Sequence, residues 1–586
     1  VIVLDTETSG LDLWRDARMF AFSTSNMDGD KVQVWRFDKG TRRKRLADDA
    51  LEEALNDQPI IFHNSKFDIK AIENHIDKKI GEELDFHDTI LMSQILQNNH
   101  PNHRLKELAW ELAGFTRNDE RAVKNFTKKG MDWPKVPEFI MKEYQGNDVL
   151  RTLLLHLFFW PKIRENPDYL SYYREMCRLQ ITTMRIQDRG VVLSIPACLS
   201  MMEQLKNECE GMLDRLEHKT GRRLNPLRPA DVKWLLYNKL KLPIVKYTKK
   251  TREPSIDKEV FLELNRVCKD NELLGLIQNF KSWRRGISTF KGYLRAVDKD
   301  NVIHPNINTH GAITGRESCS NPNLQNVQKS DALLNPYPVP ERKVFRPRPG
   351  HVNFLGDYAG IEMRLLIHYS EEPELVKIAQ ENGDVHLPAA QIFFGDRFEQ
   401  AEGKERKTLR SAAKNCNFAV PYGAGLSTAA DALGMTEDKA SLVFRAYKGR
   451  FPLLTGLGRR IAQFVRENGY VETVFGTTIY CPMDKAYMGL NYLIQGTAAA
   501  LFKIGQNRVK DVLEEMTGDS AGIILPVHDE LIIEYERKIL YKVHKVLSRV
   551  RDVMIDFPQF NIPLDVEWNV STRSWEEKRE FKLEAI

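Results

Sequence analysis

No stretch of this chain stays apolar for the roughly 20 residues that a membrane-spanning helix needs, and no two of its seven cysteines form a C-x-x-C pair. The first absence argues against a membrane protein. The second, with the odd cysteine count, argues against a disulfide framework or a zinc site and for a reducing compartment. The N-terminal "VIVLDTETSG" has neither a basic segment nor a cleavage site, so no secretory signal is read; a start at Val1 leaves an upstream segment open. There is no repeat of fixed period and no low-complexity tract. A G-x-x-x-x-G-K-[ST] loop is also lacking, so any triphosphate would have to be held by other means. Charge is nearly balanced, 86 Lys and Arg against 81 Asp and Glu. The short basic clusters "TRRKR" (41–45), "TGRR" (220–223) and "SWRRG" (282–286) suit a phosphate backbone or ordinary solvated surface.

What is present is length: 586 residues, 42% of them hydrophobic, enough for several domains with cores of their own. Residues 1–165 alternate strand-like runs ("VIVLD", "PIIFHN") with amphipathic helical stretches, which predicts an α/β domain. Residues 166–300 read as mostly helical, with Gly190 and Gly221 at expected helix stops. Residues 300–350 are rich in Asn, Pro and Gly, and an apolar strand then leads to Asp357. Helical periodicity resumes at 373, and "GIILPVHDELIIEYE" (522–536) predicts a β-hairpin.

Two constellations carry chemistry. Asp5 and Glu7 end the first strand on one face, so both can reach one cation. A lone D-x-E is weak, because roughly three are expected by chance among 81 acidic residues. "HNSKFD" adds Asp68 after a second buried strand, and "YQGND" adds Tyr144 and Asp148 on one helical face. Four carboxylates beside a phenol suit a two-metal site for phosphodiester hydrolysis; taken singly, each reads as an N-cap or surface acid. In the second constellation, the hairpin tip carries His528, Asp529 and Glu530. Asp357 and Asp529, on separate strands, suit two magnesium ions about 3.5–4 Å apart, although the tip alone reads as an acidic turn. In "TLRSAAKNCNFAVPYGAG" (408–425), Arg410, Lys414 and Phe418 share a helical face, and Tyr422 follows Pro421. Cations at one end and aromatics at the other suit a triphosphate and a stacked base or sugar; the plainer reading is a surface helix with an apolar edge. Pro421 should end or kink that helix.

These stretches carry a resemblance. DxE, N-x-x-F-D and Y-x-x-x-D, in that order, are similar to the DEDDy proofreading 3′–5′ exonucleases. "DYAGIEMRLL", "RSAAKNCNFAVPYG" and "VHDE" resemble motifs A, B and C of the family A DNA polymerases, and "TGRESCSNPNLQN" (314–326) resembles the stretch before motif A. The likeness runs along essentially the whole chain. It implies an α/β and α+β multidomain fold: an RNase H-like exonuclease domain (1–165), then a right-hand polymerase domain. The latter divides into thumb (166–300), palm with an antiparallel sheet (301–372 and 500–586) and helical fingers (373–499).

The resemblance also implies roles. Asp5, Glu7, Asp68 and Asp148 would hold two metals, with Tyr144 positioning the attacking water. Asp357 and Asp529 would hold two more at the polymerase site. Magnesium is the expected ion, with manganese able to substitute. Arg410, Lys414 and His386 would contact the triphosphate, Lys414 also serving to protonate the leaving group. Phe418 would lie against the deoxyribose and Tyr422 beside the nascent pair. Glu362 would exclude a 2′-OH, and Tyr358 belongs with the nucleotide contacts. Arg316, Asn491, Gln495, Tyr487 and His528 would follow the DNA. Phe418, where some phage relatives carry tyrosine, implies discrimination against dideoxynucleotides.

The implied partners are primer–template DNA and dNTPs, with no membrane. Replisome proteins such as a helicase or a single-strand binding protein are not identifiable. "LEHKTGRRLNP" passes through the thumb without a thioredoxin-binding insertion. A cytoplasmic, phage-type replicative enzyme is expected, since no 5′-nuclease domain is present in this chain. Tyr487, Thr477 and Thr478 stand where relatives often carry arginines, and Ala500 where they carry an acid. The alternatives are a single-subunit RNA polymerase, a catalytically silent primer–template binder, or an RNA-trimming exonuclease.

Overall fold

In the computed structural model, which describes residues 1–249, 251–268, 271–329 and 338–583, the N-terminal part is built on a five-stranded sheet. Its strand order is Val32–Arg36, Met19–Ser25, Ile2–Thr8, Ile60–Phe62, Phe86–Asp88. The first three pair antiparallel and the last two join in parallel. The central strand Ile2–Thr8 alternates its side chains between two cores. Leu4 enters one with Phe22, Phe62 and Ile72. Val3 packs on the other side with Val149 and Leu153, from the helix Glu138–Glu165. Asp5 and Glu7 share the parity of Val3, so they are presented to the same helix.

The longer helices of the expected thumb region are Pro167–Arg189, Ile195–Thr220, Lys258–Val267 and Glu272–Ala296. Gly190 and Gly221 end the first two at φ of 61° and 70°. At Gly190 a Cβ would stand 2.5 Å from Val302 Cγ1, so backbone conformation and space both demand glycine there.

The second five-stranded sheet is antiparallel throughout, in the order Ala521–Val527, Glu530–Glu536, His351–Tyr358, Val566–Ser571, Lys578–Glu580. Its central strand is covered on both faces. Val352 and Phe354 join a core shared with Leu366, Val509 and Val546, whereas Leu355 joins Leu205, Met212, Phe280 and Ile287 of the thumb helices. Burial on both sides is why "HVNFLGDY" lacks polar alternation. Gly356 is required by close approach, since a Cβ there would lie 2.9 Å from the Trp568 ring.

Residues 373–499 are chiefly helical, the longest segments being Gly403–Ala419, Glu437–Arg450 and Pro452–Asn468. The expected boundary at 499/500 falls inside a helix. A single helix, Gly489–Thr517, runs through it, carrying Asn491 and Gln495 early and packing Val509, Val512 and Leu513 against Ile523 and Ile533 later. Among the described residues, no helix is long and apolar enough to cross a membrane.

Candidate active sites

At the end of the first strand, Asp5, Glu7 and Asp148 converge, with one ligand oxygen of each lying within 4.8 Å of the others. Asp148 and Tyr144 are one turn apart on the helix Glu138–Glu165. Asp68, buried on the helix Ser65–Ile76, is turned partly aside: its Oδ1 accepts from the Thr6 amide (3.0 Å) and the Thr6 hydroxyl (2.7 Å). Only its Oδ2 remains for a cation. Burial, reinforced by Asp68, Asp148 and Glu7, pushes the Asp5 carboxyl well above its ordinary range. Burial and Asp148 raise Glu7 to about 8, and burial raises Asp68 to about 7. Carboxylates that disfavour their own ionisation in this way carry more negative charge than their surroundings offset, and an all-oxygen donor set fits magnesium or manganese.

Two cations at this site were not foreseen. Lys106 donates to the Tyr144 hydroxyl (2.9 Å) and to Asp148 Oδ2 (2.6 Å), and its ammonium lies 4.1 Å from the Tyr144 ring centroid. Nothing in "HRLKELAW" marks it. Arg151 is fully buried and joins Asp148 Oδ1 (2.7 Å) to Asp119. Its position three residues after Asp148 was a signal available in the sequence.

At the second sheet, the hairpin turns on His528, whose φ is 60°, and Asp529. Its register sets Glu530 opposite Asp357, and the Tyr358 amide donates to the Asp529 carbonyl at 3.2 Å. Asp357 and Asp529 are thereby neighbours at one end of the sheet. Burial, and then the Asp529 charge, raises Asp357 to about 7; burial also raises Asp529. Asp357 Oδ1 is buried without a hydrogen-bond partner. An orphaned carboxylate oxygen beside a second carboxylate fits a divalent cation.

The helix Gly403–Ala419 carries Arg410, Lys414 and Phe418 and stops before Pro421. Arg410 pairs with Asp384 at 2.5 Å, and the Lys414 ammonium lies 5.8 Å from the Phe418 centroid. The His386 ring is 5.9 Å from that of Phe418. Tyr447 donates to Asn417 Oδ1 (2.5 Å), which leaves the Asn417 amide to donate to His386 Nδ1 (3.1 Å). In that network Nε2 carries the imidazole proton. Burial lowers the His386 pKa to about 4, so the ring is a neutral donor at physiological pH.

Arg316 and Glu362 form an ion pair at 3.3 Å. Burial, and after it the Glu362 charge, holds the Tyr422 phenol above its ordinary range. A cavity of about 300 Å³ is bordered by Arg316, Tyr358, Glu362, His528 and Asp529. Gln495 donates to Asn491 at 2.8 Å along one helix face. The Tyr358 hydroxyl donates to the Met554 carbonyl (2.7 Å) in the core, because strand alternation turns its side chain away from the face of Asp357, while the residue still borders the cavity. Tyr487 is 74% exposed.

Comparison with known proteins gives two family matches: a model described as DNA polymerase family A over residues 196–577, and one described as 3′–5′ exonuclease over residues 1–164. The chain is 26% identical to DNA polymerase I of Pseudomonas aeruginosa, across 98% of this chain and 63% of that protein. It is 27% identical to thermostable DNA polymerase I of Thermus aquaticus, across 70% of this chain and 49% of that protein. The chain therefore spans about three fifths of the length of the fuller matches, or less. A solved structure described as the POL domain of Pol1 from M. smegmatis, in complex with DNA primer-template and dNTP, resembles it with a TM-score of 0.79. That match covers 98% of this chain and 95% of the other at 20% identity, a likeness of fold. These relatives are bacterial polymerases, and they lend no support to a phage-type subtype.

Proposed function

Since the chain belongs to DNA polymerase family A and carries a 3′–5′ exonuclease domain ahead of its polymerase region, we propose that it extends a DNA primer on a template with dNTPs and removes nucleotides from the primer 3′ end at a separate site. The observation that carries the synthetic half is Asp357, with its partnerless buried oxygen beside Asp529. These two residues would hold divalent ions, and Asp5, Glu7, Asp148 and the free oxygen of Asp68 would hold others. Magnesium or manganese bound there supplies Lewis-acid stabilisation of charge on phosphate oxygens.

The protein's own groups do the rest. Arg410, Lys414 and the Nε2–H of His386 receive the triphosphate. The primer 3′-OH attacks the α-phosphorus and gives its proton to water, the bond from the α-phosphorus to the bridging oxygen breaks, and pyrophosphate leaves with a proton available from Lys414. Phe418 supports the sugar, and Glu362, held by Arg316, occupies the space of a 2′-OH, which favours DNA over RNA synthesis. Arg316, Asn491, Gln495 and His528 follow the duplex. At the other site Tyr144, whose oxygen already accepts from Lys106, keeps its own proton to orient the attacking water. The site of action is taken to be the cytoplasm of a bacterial or phage-infected cell.

A 5′-labelled primer on a longer template, with magnesium and with or without dNTPs, tests both halves. Extension should disappear only in Asp529→Ala and shortening only in Asp5→Ala. An unmutated protein that fails to extend would refute the polymerase reading, and preference for rNTPs would redirect it to RNA synthesis.

A further inference from the structure

The polymerase site holds more acid than two aspartates account for. Asp357 lies opposite Glu530 on one neighbouring strand and opposite Glu567 on the other, and directly opposed residues of antiparallel strands share a face. Three carboxylates therefore form a row across the sheet, with Asp529 at its side. Glu567 is exposed and screened by water. Glu530 is only 7% exposed, and a buried carboxylate requires an answering charge. Lys578 supplies it, donating from Nζ to Glu530 Oε2 at 2.6 Å. Lys578 opens the strand Lys578–Glu580, brought in by pairing with Ser571, and lies one residue beyond the segment matched by the polymerase family model. Arg342, also nearby, is engaged elsewhere: it donates to the Val327 carbonyl and lies 4.2 Å over the Trp575 ring.

We propose that Lys578 is a positioning residue of the polymerase site: it occupies Glu530 as a counter-ion, so that Glu530 does not draw a divalent ion away from Asp357 and Asp529. The proposal rests on the polymerase reading above. Without the lysine, a third carboxylate competes for the ions at a position that does not serve the primer 3′-OH.

The test reads metal binding directly, by titrating the metal-free protein with Mn2+ and following free Mn2+ by EPR; Lys578→Met should shift the binding curve, and an unshifted curve overturns the proposal. It also measures primer extension against magnesium concentration, with exonuclease activity of the same preparations as the internal control. Lys578→Met should lower the plateau extension rate by about fivefold or more and shift the half-saturating magnesium concentration, with shortening of the primer unchanged. Lys578→Arg should restore most of the rate. In a Glu530→Gln background, where no charge needs an answer, Lys578→Met should change the rate by less than about twofold. An equal loss in both backgrounds overturns the proposal, as does parent-like extension by Lys578→Met or a parallel loss of exonuclease activity. Absence of extension by the unmutated protein would remove the premise itself, and is seen separately from these outcomes.

Discussion

Phe418 ends the row that Arg410 and Lys414 begin, its ring close to both Lys414 and His386. A hydroxyl added to that ring could replace the missing 3′-OH of a dideoxynucleotide as a hydrogen-bond partner near the phosphates. A hydrogen bond involving a charged group contributes about 1.5–3 kcal/mol, so Phe418→Tyr should raise dideoxynucleotide use by about ten- to a hundredfold. Chain termination in mixed nucleotides measures it; equal termination by both proteins would dismiss the idea. Single residues also mark where sequence reasoning stops. Asp357 and Tyr358 are adjacent in motif A, yet the pleat sends one to the acidic end of the sheet and the other to the Met554 carbonyl. Residue type and order identify the acid but do not tell which neighbour shares its face.

The proposed exonuclease site is an assembly of elements that each deliver one or two groups: a strand with Asp5 and Glu7, the helix Ser65–Ile76 with Asp68, and the helix Glu138–Glu165 with Tyr144 and Asp148. A further helix, Leu105–Ala113, delivers Lys106. Its ammonium touches both Tyr144 and Asp148, so it fixes the phenol as a donor and limits repulsion among the acids. Lys106→Met should therefore reduce primer shortening by about ten- to a hundredfold, the equivalent of about 1.5–3 kcal/mol, and leave extension unchanged. If Lys106 acts through Tyr144, the loss should be much smaller in a Tyr144→Phe background; full additivity would contradict that route. The strands and helices bearing the acids were readable from apolar runs and spacing. Lys106 was not, because its partners are 38 and 42 residues away.

The exonuclease domain meets the rest of the molecule through an apolar core that takes in Tyr173, Met176, Leu179 and Met184 of the helix Pro167–Arg189, and through polar contacts beside it. Trp14 donates to Asp188 (2.9 Å), Lys66 to Gln187 (2.8 Å), Gln94 to the His310 carbonyl (3.2 Å) and Asn98 to the Ile313 carbonyl (2.9 Å). His63, His103 and His310 lie near this seam. Burial lowers their pKa values to about 3, 4 and 3, and those of His156 and His386 to about 4, from an ordinary value near 6.5. As pH falls below 6.5 the unfolded chain takes up protons that the folded chain refuses, so this contribution to stability is intact above 6.5 and is lost progressively towards 4, and towards 3 for His63 and His310. The melting temperature should fall between pH 6.5 and 5, with these five imidazoles still neutral by NMR in the folded protein. A melting temperature that rises instead would mean that the raised carboxylates Glu7, Asp68 and Asp357, which bind protons in the folded state, outweigh the histidines.

From the order of residues alone came the family resemblance, the α/β domain followed by helices and a hairpin, the helix stops at Gly190 and Gly221, and the acids of both candidate sites. These are local properties: periodicity, turn chemistry and short motifs are written within a few residues of one another. The tertiary structure decided which groups answer those acids. It set Lys106 against Asp148, Arg316 against Glu362 and Lys578 against Glu530, turned Tyr358 into the core and carried one helix through an expected domain boundary. Ion pairing and burial depend on distance through space between segments far apart in the chain, and no local pattern encodes that distance.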